Sequence, residues 1–513
     1  MRSKNSLINI IVTISYFIIN NIFTFISKSV FIMYLGIEYS GLNAFLLNII
    51  GVLNLAELGI STSIGYSLYK PLKEENYIKI TEILTLFKKL YQCIGIFILC
   101  VGIVVMIFID NLVTTTISIF EIRIYFLLYL FSILTSYFLT YTNVLPAADQ
   151  KNYIVIQTQG NVKIIKNIIE LLSILFFKNF LIWLIIEIFG NIVSYIICNI
   201  KIKHLYNKIN FSNSSLRLKQ LLKKYDEIVY NIKNLFFHQI GSLVVNQTDN
   251  LLISKFCNLI EVGKYTNYIY IYTLLTGCID QAFNSITGSI GNLLVDTEGT
   301  SKSYDIWKKI YVITYFIAVL FSFLFYHLSY GFISLWVSKE NSLSNIVVFF
   351  IALNIFFRIV KCPTERFKVA YGIFYDKYAP LIESLINLII SIILVQYFGV
   401  LGVVVGTVIS NIIIIYMWKP YITFRDGFQQ PFRRYIIISM KLVITSFIAV
   451  FLTSYVINYI GIIINSWLYF ILAIIYYGLI SIIMLLIVFS LNSDFRSSLK
   501  YIILKLMNII RKS

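Results

Sequence analysis

The sequence has few of the residues on which enzymes and disulfide-bonded scaffolds depend. Of its 513 residues only three are histidine and six are cysteine, and 13% are charged. The cysteines are scattered, without the spacing of a disulfide framework or a zinc site. No segment matches the GxxxxGK[ST] pattern, so the chain has no phosphate-binding loop with which to hydrolyse a nucleotide. Any work that it does must draw on a gradient or on substrate supply.

Apolar residues are abundant instead. They make up 59% of the chain, with a mean hydropathy of +0.83, whereas soluble domains contain roughly 45–50%. Runs near the ~20 residues that cross a bilayer as a helix recur along the chain, and alternating strands of ~10 residues do not. The predicted fold class is an all-α polytopic membrane protein with about 14 transmembrane helices. We place the spans at 8–34, 43–66, 91–109, 122–142, 153–176, 180–199, 234–254, 266–293, 310–329, 343–361, 379–397, 401–418, 435–458 and 467–490.

Charge is distributed in a way that predicts topology. Most of the 42 Lys and Arg residues fall in the two terminal segments and in alternate loops, so the positive-inside rule places both termini in the cytoplasm. Orientation and contact with anionic lipids account for the net charge of +18 without a nucleic-acid partner. The outward loops are short and no Asp-x-Asp pair occurs, which argues against a membrane-embedded polymerase or glycosyltransferase. We therefore expect a transporter and not an enzyme.

Short repeated triplets suggest a duplicated chain. "ISK" at 26–28 returns at 253–255, "SIG" at 63–65 returns at 289–291, and "KLY" at 89–91 corresponds to "KIY" at 309–311. These repeats predict two homologous six-helix lobes related by a pseudo-twofold axis along the membrane normal. The predicted divisions are an N-lobe at 1–199, a basic cytoplasmic linker at 200–233, a C-lobe at 234–424, and two further spans with a basic tail at 425–513. Within the linker, leucines and lysines at helical spacing predict an amphipathic helix on the membrane surface.

Several longer stretches resemble a known family. "YLGIEYSGLNAFLLNIIGVLNLAELGISTSIGYSLYKPLKEEN", "VNQTDNLLISKF" and "FKVAYGIFYDKYAPLIESLINLIISIILVQYFGVLGVVVGTVISN" look like the Wzx-like oligosaccharide flippases of the multidrug/oligosaccharidyl-lipid/polysaccharide exporter superfamily. The resemblance implies a two-lobed, V-shaped fold that works by alternating access in the bacterial cytoplasmic membrane. The implied cargo is an undecaprenyl-diphosphate-linked repeat unit for capsule, O-antigen or exopolysaccharide, and the implied partners are a polymerase and glycosyltransferases. A drug or small-molecule exporter of the same fold is the alternative.

Cations within the spans are candidates for binding the diphosphate, because charge inside a membrane is costly and is usually functional. Lys28 lies where related lipid flippases tend to carry a cation, and Lys255 is its pseudo-symmetric counterpart; either could instead extend to the headgroups. Lys163 and Lys166 share a face of the fifth span with Glu170, which predicts either a cavity surface or an ion pair within the lobe.

Arg358, near the inner end of the tenth span, is a further candidate, although the positive-inside rule alone would also place it there.

Oxygen donors in the second half of the chain predict a coupling site. Asp249, Glu383, Asn387 and Thr407 offer two carboxylates, an amide and a hydroxyl. Such a set can bind Na⁺ or exchange a proton, and the resemblance implies acidic coupling sites of this kind. The alternative is that the amide and hydroxyl only join packed helices. We expect no resident cofactor.

The segment "AELGISTSIGYSLYKP" carries a carboxylate and small residues inside the second span. Glu57 has no opposite charge within one helical turn, so it needs a partner on another helix, such as Lys163 or Lys166, or else a proton. Gly59 and Gly65 permit close helix packing and local bending. This pattern predicts either a flexible inner end of the span or tight packing without motion.

Overall fold

The structure is a computed structural model that describes residues 2–57, 60–211, 216–296, 300–373 and 378–510. Helices dominate the described part of the chain, and no strand occurs in it. The chain forms two compact units, Met1–Gly263 (unit 1) and Lys264–Ser513 (unit 2). The predicted linker at 200–233 belongs to unit 1, and the division into homologous lobes stays a prediction.

Unit 1 contains ten helices among its described residues, and the first turn of an eleventh. They are α1 (Arg2–Leu35), α2 (Ile37–Leu53), α3 (Ile60–Lys73), α4 (Tyr77–Ile107), α5 (Ile119–Leu139), α6 (Val144–Ala148), α7 (Tyr153–Phe177), α8 (Phe180–Leu205), α9 (Leu218–Lys224) and α10 (Asp226–Phe256), followed by the start of α11 (Leu259–Asp296). Helix α7 packs against both α1 and α8, and α10 packs against α2 and α3.

Unit 2 contains the rest of α11 and the helices that follow it. They are α12 (Thr300–Trp336), α13 (Asn345–Ala370), α14 (Ala379–Phe398), α15 (Val400–Ser410), α16 (Lys419–Ile422), α17 (Phe432–Ile460), α18 (Trp467–Ser490) and α19 (Ser493–Ile510). Two π-helical segments, Asn411–Trp418 and Thr423–Phe428, join α15 to α16 and extend beyond it. The closest packing partners are α12 with α13, α14 with α15, and α17 with α18.

Each predicted span overlaps one of these helices or helical runs. Within the described ranges, ten helices are long and apolar enough to cross a membrane, among them α4, α8, α13 and α18. Helix α7 is less apolar because it contains Lys163, Lys166 and Glu170. The predicted all-α, multi-pass membrane fold is confirmed.

Helix ends follow local sequence signals. The Asn76 side chain caps α4 by accepting a hydrogen bond from the Lys79 N–H at 3.0 Å, and Asn179 caps α8 by accepting from the Leu181 N–H at 2.8 Å. Gly399 separates α14 from α15 with a φ of 58°, in the left-handed region that glycine tolerates best. The chain therefore reverses sharply there and packs α15 back against α14.

The second predicted span is not one continuous helix. It is divided into α2 and α3, with a 3-10 turn over Asn54–Glu57 after α2. Such a turn in mid-helix commonly marks a hinge or strain. Helix α3 continues through Pro71 to Lys73, beyond the predicted end of the span at residue 66. A proline in the last turn removes an N–H but leaves its carbonyl free, and that carbonyl accepts from the Asn76 N–H at 3.0 Å.

Helix α2 packs so closely on the first turn of α11 that the two backbones are in contact. A Cβ added to Gly41 would lie 1.8 Å from the Leu259 carbonyl oxygen, and one added to Gly263 would lie 2.4 Å from the Ile37 carbonyl oxygen. No other residue fits at either position without displacing the backbone. Both sides of this contact lie within unit 1, which ends at Gly263.

The linker is held against α4 by polar and apolar contacts. The predicted amphipathic helix is interrupted at Tyr225, between α9 and α10, and its apolar residues Leu221 and Tyr225 are buried. Lys224 Nζ lies 2.6 Å from Glu82 Oε2, and the Tyr225 hydroxyl donates to the same oxygen at 2.5 Å. Burial and the hydrogen bond to Glu82 raise the pKa of Tyr225, so its hydroxyl remains a donor at neutral pH.

Candidate functional site

A buried charge cluster connects α7 to α8 in unit 1. Lys166 Nζ lies 2.6 Å from Glu187 Oε2, 3.3 Å from Asn191 Oδ1 and 3.9 Å from Glu170 Oε1. The Lys166 side chain is only 6% exposed and the Glu170 side chain 3%. These four residues, Lys166, Glu170, Glu187 and Asn191, are called the α7–α8 cluster. Of the two alternatives predicted for Lys166, the structure contains the ion pair within the unit.

The backbone of α8 makes room for this lysine. Lys166 packs over Gly190, where an added Cβ would lie 2.5 Å from the lysine side chain. Glu187 and Asn191 lie at i, i+4 on the same face of α8, so both oxygens reach the ammonium group. Lys163 is one turn away on α7 and is exposed. Lys163 and Lys166 therefore have different surroundings, although they are only three residues apart.

The other predicted site residues of unit 1 are dispersed. Lys28 lies on α1 and is half-buried, and Asp249 lies half-buried on α10. Lys255, near the end of α10, is exposed, with its Nζ 5.8 Å from the centroid of the Phe256 ring. Their roles in binding substrate or a coupling cation stay predictions.

Glu57 has a partner on another helix, but not the expected lysine. The Tyr91 hydroxyl on α4 donates a hydrogen bond to Glu57 Oε1, so a neutral donor satisfies the carboxylate. Lys166, one of the two lysines named as a possible partner, is instead held by Glu187 at 2.6 Å. Gly65 packs against α6, where an added Cβ would lie 3.4 Å from Val144 Cγ2. The predicted role of Gly59 falls outside the described residues.

A second charge cluster lies in unit 2. Lys419 Nζ, at the start of α16, lies 2.9 Å from Glu365 Oε1 on α13 and 3.5 Å from Glu383 Oε2 on α14. Lys361 Nζ also lies 3.6 Å from Glu365 Oε1. We call Lys361, Glu365, Glu383 and Lys419 the α13–α16 cluster. The cluster joins α13, α14 and α16.

The predicted substrate residue Arg358 pairs with a carboxylate on α11. Its Nη2 lies 2.7 Å from Asp280 Oδ2, and both side chains are partly exposed. Arg358 therefore does more than mark orientation, since it joins α13 to α11 within unit 2. An ion pair that is partly exposed can exchange its partner for another anion at lower cost than a buried one.

Two of the predicted coupling residues meet directly. Asn387 Nδ2 on α14 donates to Thr407 Oγ1 on α15 at 2.9 Å, and Thr407 Oγ1 in turn donates to the Val403 carbonyl oxygen. Asn387 is fully buried, and its Oδ1 has no hydrogen-bond partner in the described part of the chain. Glu383 lies one turn before Asn387 on α14. Asp249 belongs to unit 1, whereas the other three coupling residues belong to unit 2.

Several of these partners were not among the site residues predicted from the sequence. Glu187 and Asn191 have i, i+4 spacing within the sixth span, and Lys361 and Glu365 have the same spacing near the end of the tenth, so both pairs offered a signal. Asp280 and Tyr91 offered none, because their roles depend on which helices pack together.

Comparisons with known proteins place the fold. No protein-family model matches the chain, and a comparison with curated protein sequences finds no match. Among solved structures, the lipid II flippase MurJ in an inward closed conformation is similar over 94% of this chain and 99% of its own, with a TM-score of 0.69 and 16% identity. The chain has the MurJ-type fold.

The same fold is found in multidrug resistance transporters of the MATE family, which belong to the MOP superfamily. An inward-facing MATE structure covers 80% of this chain and 94% of its own, with a TM-score of 0.61 and 14% identity. An outward-facing MATE structure covers 79% and 94%, with a TM-score of 0.50 and 14% identity. Among the described residues, the MurJ-type fold carries a buried charge cluster in unit 1 and a partly exposed one in unit 2.

Proposed function

We propose that the chain is a flippase that moves undecaprenyl-diphosphate-linked oligosaccharide repeat units from the inner to the outer leaflet of the bacterial cytoplasmic membrane. It works by alternating access, with both termini in the cytoplasm. The product would supply capsule, O-antigen or exopolysaccharide assembly. In this proposal a polymerase and glycosyltransferases act on the same lipid carrier, and anionic lipids contact the basic loops.

The extent of the fold similarity carries the proposal. The similarity to the lipid II flippase includes 94% of this chain, whereas the similarity to the inward-facing MATE transporter includes 80%. The flippase comparison therefore leaves less of the chain unexplained. Because a shared fold does not assign a cargo, the charges inside the chain supply the second argument.

Cations in the membrane helices of unit 1 favour an anionic cargo. Lys163 is exposed on α7 and Lys28 is half-buried on α1, so both can contribute positive potential to a diphosphate. Lys166 contributes less than the sequence suggests, because Glu187 and Glu170 already offset its charge. Lys255 in unit 1 and Arg358 in unit 2 are the remaining two candidates, and Arg358 would exchange Asp280 for phosphate oxygens. A transporter of organic cations would instead need acidic or aromatic groups at these positions.

The coupling cation, Na⁺ or H⁺, would bind at Glu383, Asn387 and Thr407 in unit 2, and Asp249 in unit 1 is a separate candidate for coupling. The buried Asn387 Oδ1, which lacks a donor in the described structure, fits a cation ligand of this kind. Glu383 lies 3.5 Å from Lys419, so binding of a cation would compete with that ion pair. The bound cation would offset the negative charge of Glu383 during transport.

The test is transfer of a fluorescent undecaprenyl-diphosphate oligosaccharide across proteoliposomes, with and without an imposed Na⁺ or proton gradient. We expect gradient-dependent transfer by the wild type and at least tenfold slower transfer by Lys28→Ala/Lys163→Ala. The control Lys339→Ala removes an exposed cation outside the spans and should leave the transfer rate unchanged. The variants Asp249→Asn and Glu383→Gln should lose the dependence on the gradient. Transfer that is equal in all variants would contradict the assigned sites.

The exporter alternative has its own outcome in the same vesicles. If the wild type transfers no lipid-linked oligosaccharide but extrudes an organic cation such as ethidium, the flippase proposal is wrong. In that case the similarity to the MATE transporters would describe the function better.

A further inference from the structure

A cavity of about 780 Å³ opens in unit 1 between the end of α3, the start of α4 and the junction of α9 with α10. Its volume lies within the ~300–1,000 Å³ typical of small-molecule sites. None of the residues of the α7–α8 cluster lines it. The charge pattern places this end of the unit on the cytoplasmic side, where a head group assembled in the cytoplasm would arrive.

One wall of the cavity is aromatic. Tyr66 and Tyr69 lie at i, i+3 on α3 and are 67% and 54% exposed. Their ring centroids are 5.9 Å apart at an interplanar angle of 73°, so the two rings present differently oriented faces. Tyrosines near a helix end often anchor it at the membrane surface, but these two line a concave site. Their rings can therefore pack against the apolar face of a ligand while their hydroxyls remain solvated.

The rest of the lining includes polar side chains with charges of both signs. Asn76 and Lys79 extend from the start of α4, and Asp226 and Glu227 extend from the first turn of α10; all four are exposed. Lys224, also in the lining, is already paired with Glu82 at 2.6 Å. The lining thus combines amide, ammonium and carboxylate groups, and its three lysines are matched by three carboxylates.

This combination defines the class of ligand. A phosphate group alone would favour a surplus of lysine or arginine, which the lining lacks because its lysines are matched by carboxylates. A saccharide offers hydroxyl and amide groups that both donate and accept hydrogen bonds, and its C–H faces pack on aromatic rings. Resting on the proposed flippase function, we propose that this cavity binds the sugar units of the cargo, separately from the groups that bind the diphosphate.

The cavity also connects the ligand to the linker. Lys224 and Tyr225, at its edge, belong to the segment that joins α8 to α10, and both are held by Glu82. A saccharide that contacts Tyr66, Asp226 and Glu227 therefore bridges α3 to the start of α10. Binding of the head group would stabilise the linker in its docked position.

Saccharide binding can be measured without transport. The full-length protein in lipid nanodiscs, free of glycoside detergent, is mixed with maltotriose or N,N′-diacetylchitobiose, and saturation-transfer NMR reports contact with each sugar. We expect saturation transfer to at least one probe, with affinity lowered roughly fivefold to tenfold in Tyr66→Ala/Tyr69→Ala. The matched variant Tyr66→Phe/Tyr69→Phe keeps both rings and should retain binding. The variant Tyr397→Ala removes a tyrosine that is 77% exposed elsewhere and should also retain it.

The outcomes separate this site from the proposed function. If the wild type transfers lipid-linked oligosaccharide but binds neither sugar, or binds it equally after loss of both tyrosines, the saccharide site is wrong. If tyrosine-dependent binding is found but no lipid-linked oligosaccharide is transferred, the site stands and the flippase function fails. Binding of pyrophosphate at this cavity in place of both sugars, detected as protection of Lys79 from acylation, would also overturn the proposal.

Discussion

Lys166 on α7 and Glu187 on α8 form an ion pair of 2.6 Å in the interior of unit 1. Glu170, one turn along α7, adds a second carboxylate 3.9 Å from the same ammonium group. Of the two alternatives predicted for Lys166, a cavity surface and an ion pair within the lobe, the structure contains the second, at the contact between two packed helices. A buried ion pair contributes little net stability when intact but is costly to break on one side.

Loss of Lys166 alone should therefore be more harmful than loss of the pair. We expect Lys166→Met to lower the free energy of unfolding by about 3–5 kcal/mol, because the buried Glu170 and the partly exposed Glu187 lose their cation. The double variant Lys166→Met/Glu187→Gln should recover most of that loss. Denaturant titration in mixed micelles measures both, and Lys163→Met, at an exposed position, is the control. Equal stability of the single and double variants would show that the pair is not coupled.

The α13–α16 cluster predicts a rank order for its two carboxylates. Glu365 lies 2.9 Å from Lys419 and 3.6 Å from Lys361, whereas Glu383 contacts only Lys419 within the cluster, at 3.5 Å. Glu365→Gln should therefore lower the thermal unfolding midpoint of the purified protein more than Glu383→Gln. The free-energy difference should be about 1–3 kcal/mol, since Glu365→Gln leaves two neighbouring ammonium groups. The reverse order would mean that Lys361 does not depend on Glu365.

The contact between α2 and α11 predicts that Gly41→Ala is not tolerated. The new Cβ would lie 1.8 Å from the Leu259 carbonyl oxygen, so the helices must separate. We expect a strong loss of monodisperse protein in fluorescence-detected size-exclusion chromatography. Gly478→Ala is the matched control, because an added Cβ there meets no atom within 4 Å, and it should be neutral or stabilising by up to about 1 kcal/mol. A Gly41→Ala protein as stable as Gly478→Ala would contradict the close approach.

Glu82 should limit the access of a protease to the linker. It accepts hydrogen bonds from both Lys224 and Tyr225, so Glu82→Ala removes the two polar contacts that hold the α9–α10 junction on α4. We expect limited trypsin digestion to cleave after Arg217, Lys219, Lys223 or Lys224 about tenfold faster in this variant, because local opening exposes the backbone. Glu74→Ala, which removes only an exposed contact with Lys70 at 3.9 Å, should leave the rate unchanged. Unchanged cleavage in Glu82→Ala would indicate that the apolar contacts of Leu221 suffice.

Some helix ends differ from the predicted ones, since α4 begins at Tyr77 and its predicted span at residue 91. The membrane helices themselves could be predicted from the sequence, because apolar length determines them. Ion pairs between helices could not, since they depend on how each helix is rotated about its axis. Lys166 shows this: its spacing from Glu170 is visible in the sequence, but its shorter contact, with Glu187, requires α7 to pack on α8. Glu57 is a second example, because its tyrosine partner lies 34 positions away on α4.

Lys419 directly follows the predicted twelfth span, which would place it in a cytoplasmic loop. The twelfth span was predicted to end at residue 418, where the apolar run stops. The helical run instead continues through α16 and the second π-helical segment to Phe428. Hydropathy marks where a helix becomes polar, but not where its backbone hydrogen bonding ends.

The π-helical segments on both sides of α16 have a mechanical consequence. A π-turn holds one residue more than an α-turn, so its conversion to α-helix rotates everything beyond it by about 100°. Conversion within Asn411–Trp418 would turn the Lys419 side chain away from Glu365 and Glu383 without breaking the helix. A change of helix type in this run would therefore form or break the ion pairs of the Lys419 ammonium group by rotation alone.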